Sequence, residues 1–279
     1  MSIAASNACL IFTKGLRVKH RSVLSLVVPL VLLVVWQIVG SKPGMQAMLP
    51  SPWLVVTAWH EWIFGESTGM GLNPYLGTWW ANVEYSGTRV IAGFALSMVV
   101  AIPLGLLIGW SRRLSMLIDP MIQVFRPIPI TAWLPFSIAA FGITNMGSIS
   151  LIFLGGFFAI VVNATQGARD VDKNLVRAAK MMGATPWVLL KRVVFPAALP
   201  NIFTGMRIGL GIAWTAVVAA EMVAVKSGLG YVLWDAYYVG RMDIVFADMA
   251  SIGLMGFLSD RLIIWIERHV LKWRLLQNH

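Results

Sequence analysis

The sequence predicts an all-α, polytopic membrane protein with six transmembrane helices, and three observations carry that prediction. The 279-residue chain is 58% hydrophobic and only 12% charged, about half the charge of a soluble domain. Its apolar residues fall in repeated runs of about 20, the length a helix needs to cross the hydrocarbon core. Its basic residues collect in the short loops between those runs, as the positive-inside rule requires. A mean hydropathy of +0.76 agrees. The net charge of +10 therefore reports membrane topology and not a nucleic-acid surface. The single cysteine, Cys9, excludes an internal disulfide framework.

Taken in order, residues 1–22 carry Lys14, Arg17, Lys19 and Arg21 and read as a cytoplasmic segment ahead of a membrane domain over 23–279. The apolar run 23–40 is longer than a signal-peptide core and no convincing cleavage site follows it, so a retained anchor is expected. Residues 41–83 read as an external segment with a short interfacial helix, its Trp53, Trp59, Trp62, Trp79 and Trp80 forming a headgroup-level belt. His60-Glu61 begins like a zinc-protease motif, but Phe64 stands where the second histidine belongs. Five further spans are expected at 86–110, 117–141, 147–166, 198–224 and 246–268. Between the last two, Ser227 to Gly230 form a turn and Tyr231 to Tyr238 a short outer helix.

Threaded from a cytoplasmic N-terminus, this layout puts Arg112, Arg113, Arg169, Lys173, Arg177, Lys180, Lys191 and Arg192 inside, with Arg268, Lys272 and Arg274 at the end. Only Lys42, Lys226 and Arg241 fall outside, so both termini are expected in the cytoplasm.

The third span is unusual. Pro120, Pro127, Pro129 and Pro135 interrupt it beside Arg126. Irregular backbone and an arginine at membrane depth are tolerated only inside protein or along a wet cavity. Residues 126–133, including Arg126, Pro127, Pro129 and Trp133, are therefore candidates to line a pathway for an anion. The opposing reading is an Arg126 that snorkels to the inner surface above prolines that only shape packing. Arg207 and Glu221 share a face of the fifth span about 21 Å apart along the axis, too far to pair with each other. Asp260-Arg261, and Asp248 nearer the outer end, are the candidate partners. Repulsion between Glu221 and an anion favours a gate or packing role for that residue. Gly93, Gly105, Gly109, Gly205, Gly209 and Gly211 suit close helix approach. No metal-ligand cluster and no nucleophile–base pair is visible; His20, His60, His269 and His279 are scattered. The chain contains no Gly-Lys dipeptide, hence no standard phosphate-binding loop, and is not expected to hydrolyse ATP itself.

Between the fourth and fifth spans, residues 175–200 read LVRAAKMMGATPWVLLKRVVFPAALP. Leu175, Ala178, Ala179 and Met182 fall on one helical face, Gly183 stops that helix, and Thr185-Pro186 starts a second one predicted to run from Trp187 to about Phe195 and end near Pro196. The product is a rigid elbow.

This stretch resembles the cytoplasmic loop signature of ABC-importer permeases, E-A-A-x3-G-x9-I-x-L-P. Ala178, Ala179, Gly183, Val193 and Pro196 match, Phe195 replaces the leucine, and Arg177 occupies the glutamate position. The stretches RPIPITAWLPFSIAAFGI (126–143), TGMRIGLGIAW (204–214) and VVAAEMVAVKSGLGYVLWDA (217–236) are similar to the nitrate/sulfonate/taurine/bicarbonate branch, from about Ser51 to the end. The resemblance implies a type I importer permease fold and a coupling loop at about 167–197. Arg177, Ala178, Ala179, Met182, Gly183, Ala184 and Pro196 would then meet the cytoplasmic ATPase subunits. It adds Trp214 and Glu221 to the translocation pathway. It further implies a homodimer in a bacterial inner membrane, a periplasmic or lipid-anchored substrate-binding protein, and ATP and Mg bound by the partner ATPase with no cofactor on this chain. The implied substrate is a small oxyanion: nitrate, taurine or an alkanesulfonate, or bicarbonate. A self-sufficient channel or secondary transporter remains the alternative, which would need no elbow.

Overall fold

A computed structural model describes residues 27–65 and 74–272. The cytoplasmic segment expected at 1–22, the first residues of the first span, Arg274 and His279 lie outside the described residues. Among those described, every regular element is helical: α1 (Val27–Gly40), α2 (Pro52–Phe64), α3 (Trp79–Trp110), α4 (Arg112–Phe125), α5 (Leu134–Phe141), α6 (Asn145–Arg169), α7 (Lys173–Met181), α8 (Pro186–Leu189), α9 (Phe195–Ala224), α10 (Leu229–Val239) and α11 (Met242–Val270). Helices α3, α6, α11 and the continuous run Pro186–Ala224 are each long and apolar enough to cross a membrane. The α4–α5 pair makes a fifth crossing if counted together, and α1 contributes 14 described residues of the first.

The core is α6 lying between α3 and α9. Glycine makes this approach possible: a Cβ on Gly105 would stand 2.6 Å from the Ala164 Cβ, and one on Gly205 would stand 2.7 Å from the Asn163 Cβ. Small residues let helix backbones approach closely in lipid, where no hydrophobic force drives association. Gly211 differs from the other glycines of α9, because a Cβ there would meet nothing. It faces an open groove and packs against no helix.

Three expectations are corrected. The third span starts at Arg112 and not at 117, and the interruption expected at its prolines is a full break: α4 and α5 meet at 95° across a 3₁₀ turn, Ile130–Trp133. Pro127 and Pro129 each remove an N–H and disfavour helical geometry in the preceding residue, so the ladder cannot cross them. The elbow's second helix does not end near Pro196. After α8 it widens into a π turn at Leu190–Val194, where the Phe195 N–H donates to the Leu190 carbonyl, and continues as α9. Pro196 falls in the first turn of α9, where a missing N–H is tolerated. Finally, the external tryptophans do not form a single belt. Trp62 and Trp79 are buried, and their indole N–H groups donate to Thr78 (3.1 Å) and Ser251 (2.9 Å), whereas Trp53 and Trp80 are exposed.

The outer helix expected at 231–238 is α10, held near its middle by the Tyr75 hydroxyl donating to Asp235 at 2.7 Å. Contacts from Trp36 to Phe246 and from Gly228 to Asn82 gather 36–51, 75–89 and 225–246 at one end of the bundle. Arg169, Asp119, Ser115 and the elbow lie at the other.

Candidate functional site

At the elbow, the Asp172 carboxylate caps α7 through the Asn174 N–H at 2.8 Å, and Gly183 ends it at φ +82°. The Ala184 N–H returns to the Ala179 carbonyl at 3.0 Å, and the Thr185 hydroxyl caps α8. The first helix, the left-handed stop and the start of the second helix are therefore as the sequence predicts, and only the second helix's end differs. The predicted common face is divided: Ala179 is buried against the protein, while Leu175, Met181, Met182 and Trp187 stand exposed, Met182 at 82%. Arg177, Ala178 and Gly183 are exposed as well, with Ala184 and Pro196 half-buried. Arg177 has no ion-pair partner among the described residues.

The predicted pathway residues separate into three places. Arg126, Pro127, Pro129 and Trp133 line one cavity of about 370 Å³, closed on its other side by Phe158, Ala159 and Asn163 of α6 and by Ile208 and Ile212 of α9. The break between α4 and α5 positions them, because it swings the chain across the α6–α9 seam. Arg126 also borders a second, more polar cavity with Asp119, Gln123, Thr165, Gln166 and Arg169, so it sits where the two meet. Asp119 is already paired with Arg169. The Arg126 guanidinium has no hydrogen-bond or ion-pair partner among the described residues, and the buried Trp133 indole N–H has no acceptor.

Trp214 lies elsewhere, in a groove between α9 and α11 that includes Gly211, Gly253 and Gly256. Its indole N–H donates to Ser259 at 2.9 Å, and Arg207 at the same groove donates to Asp260 at 2.8 and 3.3 Å. The Arg207–Asp260 pair joins one of the residues singled out on the fifth span to its candidate partner on the sixth.

Glu221 occupies the third place and lines neither cavity. It is fully buried, accepting from Arg89 at 2.6 Å, from Ser86 at 2.9 and 2.8 Å, and from the Gly230 amide at 2.9 Å. Arg89 also donates to the carbonyl and hydroxyl of Ser227 and to Asn145, tying α3, α6, α9 and the 225–230 turn together. Sequence reasoning missed Arg89, although it is the lone charged residue in the apolar run 86–110 and intramembrane charge was the available signal. Asp248, also fully buried, has no hydrogen-bond partner among the described residues.

The sequence profile of the family described as the inner membrane component of binding-protein-dependent transport systems matches residues 101–272. The chain belongs to that family. The match runs from within α3 to the end of the described residues and so includes the broken span, the elbow and the Arg207–Asp260 pair, while Arg89 lies ahead of it. A putative ABC transporter permease of Methanocaldococcus jannaschii is 40% identical over 94% of this chain and 97% of its own length. A nitrate import permease of Synechocystis sp. is 37% identical over 85% of each chain, and a putative aliphatic sulfonates transport permease of Bacillus subtilis is 32% identical over 98% and 95%. The fold is shared with a chain of the MetNI methionine ABC transporter solved in inward-facing conformations, at a TM-score of 0.62, 20% identity, and coverage of 68% of this chain and 95% of that one. This chain is thus a multi-pass permease of the ABC-importer type.

Proposed function

We propose that the permease works as a homodimer with two cytoplasmic ATPase subunits and an external binding protein, and imports a small oxyanion. The exposed apolar elbow carries the mechanical half of this reading. Met181, Met182, Leu175 and Trp187 form an apolar knob at the end of the molecule richest in lysine and arginine, which the positive-inside rule assigns to the cytoplasm. Such a patch marks a protein contact. Because α8 runs through the π turn into α9 without a break, movement of the knob passes directly into a helix that lines the cavity. ATPase closure at the elbow would then switch the pathway between inward- and outward-facing forms. The chemical half rests on Arg126, an unpaired cation in the wall of that cavity, and on the relatives named for nitrate and for sulfonates.

The test is transport in proteoliposomes holding the tagged permease, its co-purifying ATPase and binding protein, with nitrate, taurine, butanesulfonate and bicarbonate supplied in turn. ATP-dependent uptake of one of these anions is expected. Uptake by the isolated chain without ATP would establish a self-sufficient channel instead.

A further inference from the structure

Two observations about the cavity at the α4–α5 break bear on what it holds. Its polar side chains are the Arg126 guanidinium, unpaired, the Trp133 indole N–H, buried without an acceptor, and the Asn163 amide, whose N–H already donates to the Ala159 carbonyl at 2.8 Å. Just across Arg126, in the adjoining cavity, the Thr165 hydroxyl is likewise buried without a partner, and the one carboxylate there, Asp119, is neutralised by Arg169. An environment of unpaired donors around a single uncompensated positive charge suits an anion whose oxygens carry no proton. Such an anion needs acceptors from nobody, and charge-assisted bonds to it are the strong ones.

The second observation is size and lining. A cavity of about 370 Å³, at roughly 30 Å³ per water, far exceeds a nitrate. Apart from Asn163, the facing wall is hydrocarbon, with Phe158, Val162, Ile208 and Ile212 its largest side chains. A bare inorganic anion would leave most of that wall uncovered, whereas an alkyl chain would cover it.

We propose that this cavity is an intramembrane binding site for an oxyanion with a short apolar tail, of the alkanesulfonate class. The head bonds to the Arg126 guanidinium and the Trp133 indole N–H, and the chain lies along Phe158, Ile208 and Ile212. The proposal rests on the reading of the chain as an oxyanion permease and assigns that reading a class of substrate.

The experiment is direct binding to the intact permease–ATPase complex in phosphatidylcholine nanodiscs, without binding protein, by calorimetry with nitrate and with methane-, ethane- and butanesulfonate. Affinity is expected to rise with chain length, by up to about fourfold per methylene, with nitrate weakest. Arg126→Gln and Trp133→Phe are each expected to weaken butanesulfonate by about ten- to a hundredfold, the range for bonds to a charged group. Ile212→Phe, which fills the tail region, is expected to flatten the chain-length series while leaving nitrate unchanged. Complex yield and basal ATPase activity, read alongside, identify any variant that fails to assemble, and in that case the chain-length series of the wild type decides. A flat series, nitrate binding as tightly as butanesulfonate, or butanesulfonate binding indifferent to Arg126→Gln in an assembled complex would each overturn the proposal. Loss of butanesulfonate binding on adding phosphatidylglycerol would assign the cavity to anionic lipid and overturn it too. Failure of an ATPase to co-purify would instead strike the importer reading, so the two failures are distinguishable.

Discussion

The Glu221 carboxylate accepts from three donors on two separate parts of the chain, Ser86 and Arg89 on α3 and the Gly230 amide at the start of α10. A Cβ on Gly228 would lie 2.3 Å from its Oε1, so the turn closes over the acid with no room to spare, at φ +107°. Removing one member of such a pair strands the other in a low-dielectric interior, at a cost of about 3–5 kcal/mol. Arg89→Leu is therefore expected to lower the unfolding temperature of the detergent-solubilised protein sharply. Arg89→Leu with Glu221→Leu is expected to lower it less than the single change, because no charge is left unpaired; equal losses would show that the pair does not couple. Nearby, outside the spans, burial first and the Asp235 acceptor second push the Tyr75 phenol above the ordinary tyrosine range. A phenol held neutral in the folded state contributes stability that is present below about pH 10 and is lost as pH rises through its raised value. Tyr75→Phe should remove that dependence from a thermal-stability series run from pH 8 upward. These residues show what was legible. The candidate pairing of Arg207 with Asp260 followed from the need of a charge in one apolar span for a partner in another, but Arg89, which meets Glu221 across 132 residues, was not singled out as a charge in need of one.

At the scale of elements, the turn chemistry was readable and the consequences of proline were only half so. The cap at Thr185 and the glycine stop at Gly183 are local features, set by one or two side chains, and they form where the sequence places them, while the Asp172 cap went unread. The prolines of the third span announced a disturbance, yet the 95° turn depends on where α5 finds α6 to pack against, which is tertiary information. Pro196 reads as a helix stop by propensity; the π turn ahead of it absorbs the irregularity and lets the elbow run on into α9. Gly183 offers a clean test of the elbow's shape, since a Cβ there meets no neighbour and any penalty is conformational alone. Gly183→Val should strain the stop by about 1–2 kcal/mol and uncouple ATP hydrolysis from transport at normal membrane yield. Gly183→Asn, a residue that accepts the left-handed region, should retain most of the coupling. Equal coupling in both variants would remove the left-handed stop from the mechanism.

Across the whole molecule, the two ends of the bundle differ in chemistry, and the difference yields an orientation. One end carries the elbow with Arg112, Arg113, Arg169, Lys173, Arg177, Lys180, Lys191 and Arg192. The other carries Lys42, Lys226 and Arg241, the last already paired with Asp243, together with the buried Arg89–Glu221 cluster and the α2 and α10 cover. The charge bias predicts that the first end faces the cytoplasm, where an apolar knob would have an ATPase as its expected cover. In a chain with Cys9 replaced by serine, Met182→Cys and Tyr238→Cys mark the two ends, and both native residues are strongly exposed. A membrane-impermeant maleimide should label Met182→Cys in inside-out vesicles and spare it in right-side-out ones, with Tyr238→Cys giving the reverse. Co-expressed ATPase should then protect Met182→Cys and leave Tyr238→Cys as reactive as before. Labelling of Met182→Cys from the outside would invert the topology and separate the elbow from any cytoplasmic motor. Correct sidedness without protection would keep the topology and refute the knob as the docking surface.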